Sequence, residues 1–477
     1  MFVEEIREQT LPALNFAKSR HFNAVKIFEG IAFYGILIFI LLAAIPYGTV
    51  NPWVRSLFVF LVCIIAVFRV VAVILTRKFV ATDKLLFAPL IGILGLAIIQ
   101  VIPFHELTGF FGNSSYLRNQ ISMDPYETKN FIFTFISLLV AGEILLRYTD
   151  SERRLLHLIY LVLFVGVGSA LFGFARQIFF NGENNILTPF VNQNIQYAQF
   201  VNRNHFAYLM EMTLGILLGL LLKAKLTGLL KILCLIMTAI VCVSLISANS
   251  RGGLLSVLGI CLFAVSVYFF TGNETASVNK NGSAQNAWFK RYLKRVLATL
   301  VVSCLLFAMA VFIVAFIGGD TVVSRIETIP NEVYVNEDKK IRRLEIWQST
   351  INLIQENPVA GVGFGAYPVA ITFYDKSTGK YSLQQAHNDY LEVMANGGVI
   401  AFVLTLLFLA ILFKRIRRQF KTDNFFRQAS CFGASLGICG VMLHSMVDFG
   451  LHVIINALVF VILIVIATAK FETFKET

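Results

Sequence analysis

His387 and Asn388 stand in "QQAHNDYLEVMANGG", where a polar stretch of chain passes into an apolar one. An imidazole placed there can take a proton from an attacking hydroxyl near neutral pH. Further ionisable residues recur in short polar segments between apolar runs. Arg203 and His205 lie in "NRNHFAYL", Arg251 in "ISANSRGGLLS", Arg342 and Arg343 in "IRRLEIW", and His444, Asp448 and His452 in "HSMVDFGLH". Arginine grips phosphate through two parallel hydrogen bonds, which lysine does less well. The segments hold no clustered Asp/Glu set of the kind that keeps a divalent cation on phosphates, and the chain has no CxxC pair. No metal and no cofactor is expected. Such a set suits group transfer in which arginines meet the charge of a departing diphosphate.

Each residue also has a plainer reading. Arg251 can serve as a membrane anchor whose head reaches the interface. Arg342 and Arg343 can form a solvated helix face, and His444 or His452 a satisfied helix end. "GVGFGAY", residues 361–367, has phosphate-loop composition but follows no strand, so it reads as a glycine turn. Arg69, Glu143 and Glu211 fall inside apolar runs, where ionisable groups are either functional or paired with one another.

The elements that must position these residues are membrane helices. Of the 477 residues, 57% are hydrophobic and 14% charged, and the mean hydropathy is +0.74. That composition excludes a soluble protein of this size. The apolar runs are continuous and about 20 residues long, as helices need, and not the alternating runs of a membrane barrel. Twelve spans are predicted: 27–45, 54–76, 85–102, 129–147, 154–176, 204–222, 228–246, 252–270, 297–318, 392–413, 430–448 and 450–470. The first run follows a charged stretch without a small-residue cleavage site, so it is expected to stay as the first span.

With both termini inside, Lys and Arg gather in five inside loops, from Arg77 and Lys78 to Arg417 and Arg418, as positive residues should. The net charge of +12 is then mostly topological, and no nucleic acid is expected as a partner. All seven cysteines fall within predicted spans, which implies no disulfide framework. The chain divides into an N-terminal bundle of about eight spans over 1–270, a flexible cytoplasmic loop over 271–296, and a C-terminal membrane part over 297–477. The last part carries a large periplasmic loop, 319–391, between spans nine and ten. Within it an amphipathic helix is predicted, lying on the membrane surface with Ile346, Ile351, Leu353 and Ile354 as its apolar face. On this topology all the polar segments named above converge on the outer face.

At these residues the sequence resembles the O-antigen ligase and polymerase superfamily of bacterial membrane glycosyltransferases. "SRGGLL" resembles the family's arginine followed four residues later by leucine. "RRLEIWQSTINLIQENPVAGVGFGAY" resembles its loop pattern of arginine, tryptophan, proline and a glycine pair. "AHNDYLEVMANGG" resembles its His-Asn pair followed by glycine, and "HSMVDFGLH" its C-terminal turn. Three residues after Gly398 the chain has Ala401, where the family often has Gly, Thr or Tyr.

The resemblance covers roughly residues 190–465. It implies an all-α polytopic membrane protein of the GT-C glycosyltransferase type, in the bacterial inner membrane with its active site in the periplasm. It implies catalysis by His387 and diphosphate binding by Arg251 and by Arg343 or Arg342, with Asn388, Arg203, His205, His444 and Asp448 in support. The implied donor is a glycan on undecaprenyl diphosphate, and the acceptor is lipid A-core or another glycan, with membrane lipids around both. A ligase and a polymerase that joins lipid-linked repeats both fit. A transporter or flippase is the alternative of another class, but it would gather its polar groups near the membrane midplane.

Overall fold

The computed structural model describes residues 24–44, 52–76, 83–103, 120–180, 195–271, 343–375, 383–420, 422 and 424–470. Among them are thirteen α-helices and no strand, only a single bridge between Tyr197 and Phe200. The helices are α1 (Ala24–Ala43), α2 (Pro52–Thr76), α3 (Lys84–Val101), α4 (Pro125–Tyr148), α5 (Glu152–Phe180), α6 (Arg203–Lys223) and α7 (Gly228–Ser247). They continue with α8 (Arg251–Thr271), α9 (Arg343–Glu356), the short α10 (Tyr367–Ala370), α11 (Asp389–Gln419), α12 (Phe425–His444) and α13 (Ile454–Thr468).

Nine of these, α1–α7, α11 and α12, are long and apolar enough to cross a membrane; Arg251–Val265 of α8 and all of α13 are shorter apolar helices. The protein is a polytopic all-α membrane protein. Eleven of the twelve spans expected from sequence coincide with α1–α8 and α11–α13. The span over 297–318 and the loop 271–296 lie outside the described residues, apart from Thr271 at the end of α8.

The tightest packing joins α6 to α12. Gly215 and Gly219 face Gly433 and Gly437, and a Cβ on either α6 glycine would overlap the α12 backbone. Small residues four apart on two helices allow this approach in a membrane, where contact is driven by packing. One apolar core runs through α1, α2, α4–α7 and α11–α13. The ionisable residues inside helices are paired. The Arg69 guanidinium donates to both carboxylate oxygens of Glu143 at 3.3 and 3.1 Å, and Glu211 meets His444 at 2.7 Å.

The two ends of the bundle differ. At one end Arg415 pairs with Asp83 at 2.8 Å and Arg154 with Asp150 at 3.5 Å, while Lys225 lies 3.5 Å over the Phe425 ring. At the other end the starts of α6, α8, α11 and α13 meet the end of α12.

Helix α11 is broken at Gly398, where φ is +61°. The amides of Val399 and Ile400 donate to the carbonyls of Pro358 and Val359, and the carbonyls of Ala395 and Asn396 accept from Val362 and Gly363. The segment 358–363 thus completes the ladder that the break interrupts. Gln100 of α3 locks this arrangement: its Nε2 donates to the carbonyls of Ala360 and Asn396 at 2.7 and 2.8 Å, and its Oε1 accepts from Phe364 N. The residues 361–367 act as a glycine turn, with positive φ at Gly361, Gly363 and Gly365, consistent with the expectation from sequence. "ISMD" packs against the same turn, Met123 N donating to Val362 O, and Asp124 caps α4.

A small separate core of Leu353, Val362, Tyr367, Ile371, Ala386 and Ala395 sits beneath α9. The face α9 buries is Ile346, Ser349, Thr350 and Leu353, so Ile346 and Leu353 of the predicted face are inside and Ile354 packs against this core, while Ile351 is 37% exposed. The reason is local. Thr350 satisfies its hydroxyl on Ile346 O and Tyr367 Oη, both at 2.7 Å, so a polar residue is accommodated inside while Ile351 turns out. The predicted ends of the last two spans also shift. Helix α12 stops at His444 and α13 starts at Ile454. Asp448, expected at the turn between the last two spans, lies in that turn, where its carboxylate accepts from Phe449 N at 2.9 Å. Such side-chain bonding to nearby backbone competes with the helix.

Candidate active site

Asp448 is the centre of the polar cluster at this end of the bundle. Its side chain is 1% exposed. Arg343, at the first turn of α9, donates from Nη2 to Asp448 Oδ2 at 3.3 Å, and Asn204 of α6 donates to the same oxygen. His387 Nδ1 lies 3.6 Å from Asp448 Oδ1, beyond a hydrogen bond but within reach of an ion pair. Burial alone would raise the Asp448 carboxyl, but the facing imidazoles of His387, His205 and His444 outweigh it and hold the group well below the usual carboxylate range. The carboxylate is therefore ionised at neutral pH.

His387 is aimed by its backbone. Its φ is +51°, a left-handed conformation that costs a non-glycine residue about 1–3 kcal/mol and persists only where surroundings impose it. Those surroundings are explicit. Trp347 Nε1 donates to Ala386 O at 3.1 Å, and Ala386 N donates to Glu392 Oε2 at 2.9 Å. After His387, Asn388 Oδ1 accepts from the amides of Tyr390 and Leu391, and Asp389 N donates to Ser445 O. Phe449 packs edge-on against the imidazole with centroids 4.8 Å apart, and against His205 at the same distance. His387 remains 31% exposed, so one edge of its ring is open to a substrate.

Arg251 opens α8 at the same end. The residue before it, Ser250, donates from Oγ to Asn204 Oδ1 at 2.8 Å, which ties the start of α8 to Asp448 through one side chain. Below it, His444 is stacked on Tyr208 with centroids 4.2 Å apart, and its Nε2 lies against Gly252, where a Cβ would overlap it. His452 faces Asp389 and Glu392 at 3.5 Å each. Burial opposes its charge, but these carboxylates prevail and raise it to about 9.

Of the residues expected from sequence, the structure brings His387, Arg343 and Asp448 into direct contact. It places Arg251, His205 and His444 around them, and Arg203 at the first turn of α6. Asn388 caps α11, and Arg342 lies outside the described residues. Sequence reasoning did not single out Asn204, Ser445 or Phe449. Asn204 was inside a quoted motif, masked by its charged neighbours, while Ser445 and Phe449 carried no signal of their own. Among the described residues no group of three His, Cys, Asp or Glu is arranged to hold a metal.

Residues 233–406 match a family model described as O-antigen ligase. This segment, a little over a third of the chain, is similar to the O-antigen ligase family. No curated protein matches it. The O-antigen ligase segment contains Arg251, Arg343, His387 and Asn388. Asn204, His444 and Asp448 lie outside it, and the fold adds them to the same site. The match supports ligase- or polymerase-type glycan transfer in polysaccharide assembly.

Proposed function

We propose that the chain transfers a glycan from a polyprenyl diphosphate, undecaprenyl diphosphate in bacteria, to an acceptor hydroxyl at the periplasmic face of the inner membrane. The observation that carries this reading is the contact of His387 and Arg343 with one buried carboxylate, Asp448, next to the Arg251 end of α8. Asp448 favours the His387 tautomer with its proton on Nδ1, leaving Nε2 as the base. The acceptor oxygen loses its proton to Nε2 and attacks the anomeric carbon. The bond from that carbon to the phosphate oxygen breaks, and the diphosphate leaves with the electron pair. Attack from the opposite side inverts the anomeric centre.

Asp448 occupies one N–H of Arg343, whose guanidinium has five, and the side chain is 43% exposed. The remaining donors suit the diphosphate. The α8 terminus adds Arg251 at the positive end of a helix dipole. The basic end of the bundle, with Arg154, Arg415 and Lys225, favours the cytoplasm, which supports the reading with His387 outside and both termini inside. Because arginines supply the charge, transfer is expected to survive EDTA. A finished glycan joined to lipid A-core and a repeat joined to another lipid-linked repeat both fit this geometry.

The test is transfer and donor binding on purified variants of matched thermal stability. His387→Ala should keep donor binding and lower turnover by about 10²–10⁴-fold, the usual contribution of a general base. Arg251→Ala should weaken both. Wild-type turnover in folded His387→Ala protein removes the reading.

A further inference from the structure

A cavity lies beyond the site, at the far end of α9. It encloses about 340 Å³, opens to solvent, and is lined by Asn352, Gln355, Glu356, Phe373, Tyr374 and Asp375. Asn352 follows Arg343 by nine residues of helix, about 13 Å along the axis, so none of the lining belongs to the cluster around Asp448.

The lining selects a ligand class. Among the described residues the lining has no lysine or arginine, which disfavours phosphate, and no aliphatic side chain, which disfavours an acyl chain. It offers two carboxamides, two carboxylates and two aromatic rings. Sugar hydroxyls each donate and accept; carboxylates accept from them, and carboxamides do both. The C–H face of a sugar ring, weakly positive, packs on the negative face of an aromatic ring. Phe373 exposes 55% of its surface, large for an aromatic side chain.

The wall is also preorganised. Tyr374 Oη donates to Glu356 Oε2 at 2.8 Å, joining α9 to the segment after α10. Leu353 and Ile371, both fully buried in the small core beneath, fix the two sides. Rigid walls lower the ordering cost of binding.

We propose that this cavity is a glycan subsite, which holds a neutral or amino sugar of the donor's glycan chain while its lipid-linked end reaches Arg343 and His387. The proposal rests on the glycosyl-transfer reading for the identity of the substrate. Glu356 and Asp375 make it reject uronic acids.

The experiment is equilibrium binding to the full-length protein in detergent, with the His387→Ala variant used so that no turnover intervenes. The probes are maltohexaose, chitohexaose, a chitosan hexamer and oligogalacturonate of the same length. At least one of the first three is expected to bind and the oligogalacturonate to bind least. Phe373→Ala, at an exposed position that leaves the core intact, should weaken binding about 3–10-fold, and Gln355→Ala should weaken it too. Binding of none of the first three, or binding unchanged in Phe373→Ala, overturns the subsite. Calcium binding that is lost in Glu356→Gln, in place of sugar binding, overturns it in favour of a cation site. A subsite that fails leaves the role of His387 untouched. A His387→Ala protein that transfers normally ends the transfer reading, while sugar binding is still read on its own.

Discussion

Replacing Asp448 by asparagine removes one charge from the centre of the site and one of its two acceptor oxygens. Asp448 Oδ1 accepts from Phe449 N, and Oδ2 from Arg343 and Asn204; with the single amide oxygen on the Phe449 side the turn is kept and Arg343 loses its acceptor. Also lost is the field on His387. When His387 takes the acceptor's proton it becomes a cation facing Asp448 Oδ1 at 3.6 Å. Two unit charges about 4 Å apart at an effective dielectric of about 20 interact by about 4 kcal/mol. His387 is 31% exposed, and water screens part of this, so about 2 kcal/mol is a fair share for the transition state. That corresponds to roughly 30-fold in turnover. Single-turnover transfer at saturating donor should show that fall. Donor binding should hold or improve, because Arg343 is released from its partner. The comparison requires variants whose unfolding temperatures in detergent agree. Turnover within twofold of the parent in a well-folded Asp448→Asn protein refutes the coupling, and so does a loss confined to donor affinity.

Trp347→Phe deletes the N–H given to Ala386 O, a bond worth about 1 kcal/mol; turnover should slow about fivefold, and parental turnover would count against a clamp on His387. Gly398→Ala should destabilise by at least about 2 kcal/mol, since φ is +61° and a Cβ would run into the Val359 carbonyl; Gly95→Ala in α3, with nothing near its Cβ, is the control, and equal unfolding temperatures for the two would contradict the account of the break. His452, raised to about 9, contributes stability that is fully present below about 6.5 and lost as pH rises through 9. The side chain is 41% exposed, so the contribution is discounted to on the order of 1 kcal/mol. Thermal stability followed from pH 6 to 9.5 should fall, and His452→Gln should flatten the fall; an unchanged slope in the variant would disprove the linkage.

The helices were legible because apolar runs of about 20 residues leave no other choice in a membrane, and the polar motifs were legible because charge at span ends is rare enough to stand out. Arg343, His387 and Asp448 were each visible in this way. Their meeting was not, since it depends on α6 and α12 closing on glycines that carry no polar signal. On α9 the sequence pattern finds Ile346 and Leu353 but misplaces Ile351, because hydrophobicity ranks Ile351 above Thr350 and knows nothing of the Tyr367 hydroxyl waiting inside. Asn388 illustrates the converse: it sits beside His387 in the motif, yet local backbone geometry turns it into a cap. Spacing to Trp347 favours Arg343 over Arg342, and Arg343 contacts Asp448, while Arg342 lies outside the described residues.

The break in α11 bears on how the protein is made. Val399 and Ile400 have no amide partners in their own helix, and the bonds that satisfy them come from Pro358 and Val359, some forty residues earlier in the chain. During insertion the lower part of α11 can enter the bilayer as an ordinary helix, but its upper turn would carry bare amides until the preceding segment docks, and lipid offers them nothing. Assembly of the outer segment is thus a condition for seating this helix. The docked segment is continuous with α9, which brings Arg343 and Trp347, and the seated helix begins two residues after His387. A half-assembled chain would therefore hold no working site, and its reactive groups come together only at the last step of its own biogenesis.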